Sequence, residues 1–534
     1  MASDDYNDKA KHEDMKVLHG MGYAQELSRS MSKFSNFAIS FSIICILSGG
    51  INSFAQAISS VGGAGAGIGW IVGCLLSGMF ALSMAQVASA FPTAGGLYHW
   101  ASILGNRFWG WMTAWLNLLG LITVLGAINI GTAYFFAGAI APMFGTVAED
   151  GTMTTFFTGT DIQVVIFVAI ITVIQAAFNH VGIKATTFLT DISGYIIFAT
   201  TAALVVACLV YAPAIDISRL WTFTNYSGDA GGGVFPQSDN MGYLFLLCLL
   251  LPVYTITGYD ASAHTSEETK NAAVSVPKGI VTAVFWSSLI GWIMICAIML
   301  AIPDMNAAAG KGWLAFFYTM DANMAEGTAA TLKSVIYIGI FIAQLLCGLA
   351  TVTSASRMLF AFSRDDGMPV GSKALATVSP KFRTPVAAIW TSTVLCILYV
   401  LLAMQIKVAE TSIYFIVVNS TLVFLFLSFT IPLVAGMLAF GGPKWSKPGP
   451  WAMSTGVYKL VTLLSVVGMG IILFIAVATP NERVLYIVAG FIAVALVLWV
   501  AVENRRFEGP PTGEKIAARK AAIAAAEAAV GEKG

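Results

Sequence analysis

Two polar, glycine-containing segments interrupt apolar stretches of this sequence, and their residue types suit ligand binding rather than bond breaking. The first is residues 48–53, where two adjacent glycines cost roughly 2 kcal/mol of helix propensity relative to alanine. Amides freed by an unwound helix can hold a carboxylate, and its carbonyls can hold an ammonium group or a cation. Alternatively, the glycines allow helices to pack closely. The candidate binding residues here are Ser48, Gly49, Gly50, Ile51 and Asn52.

The second segment follows Pro252 and combines a glycine, hydroxyls and a carboxylate within a few residues. Unwound backbone at membrane depth is tolerated only where it is buried or lines a cavity, so it points to function. Asp260 would be costly there, and we assign it a helix-orienting or gating role. We assign His264 to a polar network, since one histidine is weak support for a proton relay. The candidate binding residues here are Thr255, Thr257, Gly258 and Tyr259.

The composition excludes several classes of protein. Of 534 residues, 57% are apolar and 10% are charged, which excludes a water-soluble globule. The 28 basic and 28 acidic residues cancel, so no overall field would attract nucleic acid. Five histidines lack paired spacing, and seven cysteines fall inside apolar runs. We therefore expect no enzyme activity, no metal and no cofactor.

Twelve apolar runs are long enough to cross a hydrocarbon layer of about 30 Å. The sequence therefore predicts an all-α membrane protein with twelve transmembrane helices. The predicted spans are residues 34–59, 66–90, 108–139, 162–180, 187–212, 240–263, 278–302, 332–363, 386–404, 411–438, 456–478 and 483–503.

Basic residues are distributed unevenly between the two sides that these spans define. One side receives both tails and most of the loop lysines and arginines, and basic residues near span ends are retained in the cytoplasm. The sequence therefore predicts a multi-pass protein of the plasma membrane with both termini cytoplasmic. The other side receives only Arg219, Lys311, Lys333, Lys407 and Arg483.

Spans and connections divide the chain into six predicted regions. The two broken segments lie five spans apart, the placement expected of inverted repeats. The regions are a cytoplasmic tail at 1–33, a first repeat of spans 1–5 at 34–212, an extracellular loop at 213–239, a second repeat of spans 6–10 at 240–438, spans 11–12 at 439–503 and a cytoplasmic tail at 504–534.

Five motifs occur in order near the predicted span ends: 26–36 (ELSRSMSKFSN), 48–53 (SGGINS), 91–100 (FPTAGGLYHW, assigned as an architectural turn), 257–270 (TGYDASAHTSEETK, with Pro277) and 356–369 (SRMLFAFSRDDGMP). Together they resemble those of the amino acid, polyamine and organocation (APC) permease superfamily, within it the amino acid/choline transporter branch. The resemblance implies a leucine-transporter-like fold: a 5+5 inverted repeat plus two C-terminal helices. It also implies a cavity between spans 1, 3, 6, 8 and 10.

The resemblance implies a secondary active transporter that moves an amino acid or related amine by alternating access. Ser48, Gly49, Gly50 and Ile51 would present backbone to the substrate carboxylate. Thr255, Thr257 and Gly258 would frame the amine, and Tyr259 would cover the site. The alternatives are a carrier of choline, 4-aminobutyrate or a polyamine, and an ion-independent amino acid exchanger. The broken segments lack lysine and arginine, which favours a zwitterion. Choline would need an aromatic cage, with Tyr254, Tyr259 and Trp115 as candidate walls.

A coupling ion, either a proton or sodium, stays open at this stage. Some proton-coupled members of the superfamily carry a buried lysine in the fifth span, and residues 188–211 contain none. Thr351, Thr353 and Ser354 lie where sodium would sit in sodium-coupled relatives. Hydroxyls suit a hard cation, but in membrane helices they more often bond their own backbone.

Charged residues at the cytoplasmic span ends predict an inner gate. A site open on both sides would leak, so we expect ion pairs to close this side in one state. The alternative is a set of solvated charges, whose pairs contribute little. The basic members are Arg29, Arg357 and Arg364, and the acidic members are Glu267, Glu268, Asp365 and Asp366.

Overall fold

The computed structural model of the protein describes residues 8–147, 153–405 and 413–531. The regular secondary structure of this part is helical, apart from a two-residue antiparallel pairing of Thr146–Val147 with Met153–Thr154. In the described part, eleven helices are long and apolar enough to cross a membrane. Lys407 and the first residues of the predicted tenth span lie outside the described residues.

The eleven helices coincide with eleven of the twelve predicted spans. The sixth predicted span is the broken one, and its first part, Met241–Thr255, is too short to qualify alone. Including it restores the predicted count. Spans 1 to 5 are Lys33–Asn52, Gly65–Ala90, Arg107–Phe144, Asp161–Val181 and Ile183–Tyr211, and spans 7 to 12 are Ala272–Ala301, Gly327–Arg364, Val386–Gln405, Ile416–Ala439, Thr455–Val477 and Glu482–Arg506.

Short helices join the spans and cover the two ends of the bundle. They begin and end where caps and glycines require, as at Gly513, whose φ of 57° precedes the first tail helix. They are Asp8–Gly20, Ala55–Val61, Leu97–Trp100, Ala101–Gly105, Ile217–Trp221, Gly228–Gly231, Ala261–His264, Ser266–Glu268, Met305–Gly310, Gly312–Leu314, Ala315–Asn323, Ser372–Leu375, Glu514–Ala518 and Lys520–Ala529.

The first and last described helices, Asp8–Gly20 and Lys520–Ala529, lie on the same side of the bundle. The Glu527 carboxylate accepts a hydrogen bond from the Gln25 amide at 2.9 Å and lies 2.7 Å from the His19 ring nitrogen Nε2. We call this side the terminal face and the other side the opposite face. An even number of spans requires this arrangement.

In the bundle, apolar side chains face outward and polar side chains face inward, as expected for a protein surrounded by lipid. Large apolar side chains stand outward on the spans, with Leu75 63% and Val497 66% exposed. Polar side chains lie inside, where Asn129 of span 3 donates to Thr172 and Gln175 of span 4 at 2.9 and 3.0 Å. Such interhelical hydrogen bonds join spans that gain little from apolar contact in a bilayer.

Candidate functional site

Span 1 breaks at Cys45, a few residues before the predicted position. Cys45 has φ 27° and ψ 81°, a backbone conformation that non-glycine residues rarely adopt, and it separates Lys33–Ile44 from Ile46–Asn52. The predicted interruption at residues 48–53 is corrected accordingly, except at Ser53, which lies between the helices Ile46–Asn52 and Ala55–Val61. Ser48, Gly49, Gly50, Ile51 and Asn52 all belong to the second helix.

The two adjacent glycines of span 1 serve close packing. A Cβ on Gly49 would lie 2.9 Å from the Thr255 Cα, so span 1 touches span 6 through bare backbone. A Cβ on Gly50 would lie 3.1 Å from the Met294 Cε of span 7, so Gly50 faces away from span 6. The helix accommodates both glycines because these contacts offset their weak helix propensity.

Span 6 breaks where the sequence predicts. Its helix ends at Thr255, Ile256 leaves the helical region, and Gly258 has φ 100°, which favours glycine. The hydroxyls of Thr255 and Thr257 donate to the carbonyls of Leu251 and Val253. These bonds satisfy carbonyls on the last helical turn before the break, and each hydroxyl oxygen keeps a lone pair.

The two breaks lie against each other in the middle of the bundle. A Cβ on Gly258 would lie 2.3 Å from Cγ2 of Ile43, which precedes the span 1 break by two residues. The Ser40 hydroxyl donates to the Tyr259 carbonyl at 3.0 Å. The Tyr259 ring is fully buried and lies 5.6 Å from the Phe429 ring of span 10. The structure therefore brings the two predicted segments together.

A cavity of about 390 Å³ opens at the opposite-face end of span 1. Of the predicted binding residues, only Ile51 and Asn52 line it, because the others pack deeper in the bundle. The predicted choline walls Tyr254, Tyr259 and Trp115 are not among its lining residues. The remaining lining residues, none of them charged, are Gly131, Tyr134, Phe135, Ala137, Gly138, Thr158, Trp313, Leu314, Phe317 and Tyr414.

Gly131 keeps the inner end of this cavity open. A Cβ at Gly131 would lie 2.5 Å from the Asn52 Nδ2 atom and 3.3 Å from the Tyr414 Cε2 atom. Spans 1, 3 and 10 therefore converge on this one glycine. Any larger residue there would press on the predicted binding residue Asn52.

Two bidentate ion pairs lie on the terminal face, below the breaks. Arg357 of span 8 donates to both carboxylate oxygens of Glu268 at 3.0 and 2.8 Å, and both side chains are fully buried. Arg364 donates to Glu267 at 2.9 and 2.7 Å. Glu267 also accepts from the Ala94 amide at 3.0 Å. These pairs fasten the end of span 6 to span 8.

Arg29 is placed differently from the prediction. Its guanidinium donates to the carbonyls of Ser266 and Thr269 at 3.1 and 2.6 Å and to the Gln25 side chain. The carboxylate it approaches is Asp14, at 3.6 Å, and not Glu267 or Glu268. Arg29 therefore holds the backbone of the turn after span 6, because the two glutamates already have arginine partners.

Asp365 and Asp366 also depart from the predicted pairing. Asp365 accepts hydrogen bonds from the hydroxyls of Tyr23 and Tyr98 at 2.6 and 3.0 Å and lies 3.3 Å from His99. Burial opposes its charge, but these hydrogen bonds and neighbouring positive charge lower its pKa below the ordinary value. The Asp366 carbonyl accepts from Arg506 at 2.7 Å. Asp365 therefore joins the N-terminal segment at Tyr23 to the motif at residues 91–100, and Asp366 binds the end of span 12.

The three hydroxyls of the predicted ion site are buried in span 8. Thr351 donates to the Cys347 carbonyl at 2.9 Å, and Thr353 donates to the Asn179 side chain at 2.7 Å. The Ser354 hydroxyl has no hydrogen-bond partner within the described ranges. These bonds leave oxygen lone pairs available, so sodium binding stays a prediction. In the same ranges, no group of three or more His, Cys, Asp or Glu residues could hold a metal ion.

Comparison with known proteins decides the family. A family model described as amino acid permease matches residues 31–502. The chain belongs to this amino acid permease family. The match confirms the superfamily predicted from the motifs and the helical membrane fold that goes with it. This permease is therefore an amino acid transporter of the membrane.

Two relatives show how far the similarity extends. The permease is 31% identical to Amino-acid permease BAT1 of Arabidopsis thaliana over 518 residues, which are 92% of this chain and 95% of that protein. It is 26% identical to the GABA-specific permease of Saccharomyces cerevisiae over 505 residues, 90% of this chain and 81% of that protein. The family model, at residues 31–502, covers all or part of each of the twelve spans.

The sequence interpretation missed part of the permease's cavity and its terminal-face contacts. Tyr134, Trp313 and Tyr414 line the cavity from three distant segments, and no local motif marks them. The motif at residues 91–100, which the sequence predicts to be a turn, also provides the Ala94 amide that donates to the Glu267 carboxylate. The polar contacts of that motif could have been suspected from His99, a rare residue in this chain.

Proposed function

We propose that this permease carries a small zwitterionic amino acid by alternating access, with the substrate held where the broken spans 1 and 6 meet. The proposed contacts are Ser48, Gly49, Gly50, Ile51 and Asn52 of span 1 and Thr255, Thr257, Gly258 and Tyr259 of span 6.

One observation carries the proposal. The uncharged cavity of about 390 Å³ reaches Ile51 and Asn52 from the opposite face, while buried ion pairs join the end of span 6 to span 8 on the terminal face. A site open to one side only is what alternating access requires. A substrate with a net charge would lack an oppositely charged partner in this cavity, whereas a zwitterion has no net charge.

The orientation and location form part of the same proposal. Lysine and arginine bias supports a cytoplasmic terminal face, and the cavity would then open to the outside of the plasma membrane. The ion pairs Arg357–Glu268 and Arg364–Glu267 would form the inner gate. The coupling ion would be a proton or sodium.

Solute counterflow in proteoliposomes tests this function. Vesicles would be loaded with unlabelled alanine, glutamate, arginine, 4-aminobutyrate or choline, and the same solute in labelled form would be added outside. The name of the yeast relative makes 4-aminobutyrate the first probe. We expect saturable counterflow of at least one zwitterion, with weaker counterflow of arginine and choline. Passage that never saturates, or exchange of choline alone, would contradict the proposal.

A further inference from the structure

Asp260 and His264 form a buried pair one helical turn apart, just after the span 6 break. The His264 Nε2 atom lies 3.3 Å from the Asp260 Oδ2 atom, and both side chains are at most 1% exposed. The same carboxylate oxygen lies 3.4 Å from the Asn117 Nδ2 atom of span 3. The other oxygen, Oδ1, has no hydrogen-bond partner in the described chain.

The hydrogen-bond partner of Nδ1, the second ring nitrogen of His264, determines which nitrogen carries the hydrogen of a neutral ring. His264 Nδ1 is 3.1 Å from the Ala94 carbonyl oxygen, which can only accept, so Nδ1 carries a hydrogen. In a neutral ring, Nε2 is then an acceptor, and it has no hydrogen-bond partner among the described residues although the Asp260 Oδ2 atom lies 3.3 Å away. The pair thus holds two buried acceptors without donors, Asp260 Oδ1 and His264 Nε2. One additional proton, either on the carboxyl group or on the imidazole, would supply the missing donor.

Neighbouring charges do not replace this proton. Glu267 and Glu268 follow on the next turn, and each is paired with an arginine of span 8, Arg364 or Arg357. Tyr259, adjacent to Asp260 in the chain, is fully buried and neutral at ordinary pH. A deprotonated Asp260 would therefore be a buried carboxylate with only the Asn117 amide to stabilise it, which is costly.

The elements packed on the other sides of the pair are uncharged at the contact. Span 1 contributes Asn36 and Ser40, which hydrogen-bond to Ser262 between the two residues of the pair. From span 7, Gly279 approaches the same serine, since a Cβ there would lie 3.0 Å from its hydroxyl oxygen. The loop at residues 91–100 contributes the Ala94 carbonyl, and its His99 instead contacts Asp365.

Ala94 connects this pair to the ion pairs of the terminal face. Its amide donates to the Glu267 carboxylate at 3.0 Å, and its carbonyl accepts from His264 at 3.1 Å. Glu267 is in turn held by Arg364. Separation of Glu267 from Arg364 would therefore disturb Ala94, the partner that fixes the ring of His264.

We infer that Asp260 and His264 together bind a coupling proton, which stays bound while the ion pairs are closed and leaves to the terminal face when they open. The proton leaves as H⁺ to water, and the pair is reprotonated from the opposite face in the next cycle. This inference rests on the proposed transport function and identifies its coupling ion. It also gives His264 a role beyond the polar network expected from sequence.

The test separates exchange from accumulation in proteoliposomes that contain the full chain. Counterflow of 4-aminobutyrate, or of the amino acid that exchanges fastest, at equal pH requires no net proton movement. Accumulation driven by an acid exterior does, and one proton per substrate supports about tenfold accumulation per pH unit. The variants are Asp260→Asn and His264→Asn. The control is Asp321→Asn, whose carboxylate pairs with Lys333 at an exposed site.

We expect both variants to keep counterflow within about twofold of the parent while losing the tenfold accumulation. The control should retain both activities. Accumulation at the parent level in either variant would overturn the inference, as would loss of counterflow in both. If the parent protein exchanges substrate but does not accumulate it in response to the pH gradient, the inference about the proton is contradicted and the proposed transport function is not. If it exchanges no substrate, the proposed function fails first.

Discussion

Gly258 cannot be replaced by a larger residue without strain, because of its backbone conformation and the close approach of its neighbours. Its φ of 100° suits glycine, and a Cβ there would lie 2.3 Å from Ile43 across the junction of the two breaks. A left-handed conformation costs a non-glycine residue about 1–2 kcal/mol before any clash. The junction of spans 1 and 6 therefore depends on this one position.

Gly258→Ala should consequently reduce counterflow strongly and lower the thermal unfolding midpoint, while the protein still reaches the membrane. Gly470→Ala is the matched control, because a Cβ at Gly470 meets nothing within 4 Å. Equal counterflow by the two variants would contradict the placement of the junction.

Gly131→Leu tests the cavity at the residue scale. The added side chain would occupy the space beside Asn52 and Tyr414 and should abolish counterflow with little loss of folded protein. Gly470→Leu, on span 11, adds the same volume where nothing lies nearby. Unchanged transport by Gly131→Leu would show that substrate does not pass this cavity.

Residue types predicted one break and misplaced the other. Pro252 and Gly258 mark the span 6 break in the sequence because both disfavour helix. Cys45 carries no such mark. Its conformation accompanies contacts from span 8, where Cys347 approaches the Ile43 carbonyl at 3.2 Å and Gln344 donates to the Leu47 carbonyl. Contacts between distant spans cannot be seen from local sequence.

At the scale of elements, the Arg357–Glu268 pair fastens the end of span 6 to span 8. Arg357→Ala would leave a buried glutamate without its partner, at a cost of about 3–5 kcal/mol. The double variant Arg357→Met with Glu268→Gln should be milder, because no buried charge stays unpaired. Thermal unfolding in detergent measures both. A double variant less stable than the single one would argue against a net role for pairing.

Acid should weaken the second pair in a defined direction. Burial acts to raise the pKa of Glu267, but the charge and hydrogen bonds of Arg364 outweigh it, and the net pKa is lowered. A carboxylate whose pKa is lowered in the folded state stabilises the folded protein at pH values above the ordinary pKa of 4.5. This stabilisation is lost as the pH falls through the lowered pKa.

Thermal midpoints of the parent and of Glu267→Gln should therefore differ by a constant amount above pH 4.5 and converge below it. If the difference between the two thermal midpoints instead changed between about pH 5 and 8, the titration in that range would belong to the Arg364–Glu267 pair.

The span ends were predictable because a hydrocarbon layer imposes length on every apolar run. The predicted second span at 66–90 is Gly65–Ala90 in the structure, and the predicted fourth at 162–180 is Asp161–Val181. Connections between spans carry no such constraint. The tie from Arg29 to the turn after span 6 therefore escaped the sequence interpretation.

For the whole molecule, the terminal segments close over one face of the bundle. Arg519 lies 3.5 Å from Asp365, and Arg383 donates to the Val530 carbonyl at 3.2 Å. The Phe507 side chain is fully buried and lies 5.8 Å from the Phe362 ring. The terminal face is therefore sealed by the tails as well as by the ion pairs.

The cavity was the least predictable feature of the whole molecule. Its wall draws on spans 1 and 3, on Thr158 between spans 3 and 4, on the segment between spans 7 and 8, and on Tyr414 in the helix Ile413–Ala439 that contains span 10. Sequence patterns report the buried face of one helix at a time. The way these five segments meet around the cavity depends on packing, which those patterns do not encode.

Cysteine labelling at position 52 tests the central claim most directly. The native cysteines are buried, apart from the partly exposed Cys74, which Cys74→Ser removes. On that background, a membrane-impermeant thiol reagent should label Asn52→Cys from the opposite face, and a transported amino acid should slow the labelling. Labelling from the terminal face only, or labelling that no transported amino acid slows, would contradict the account.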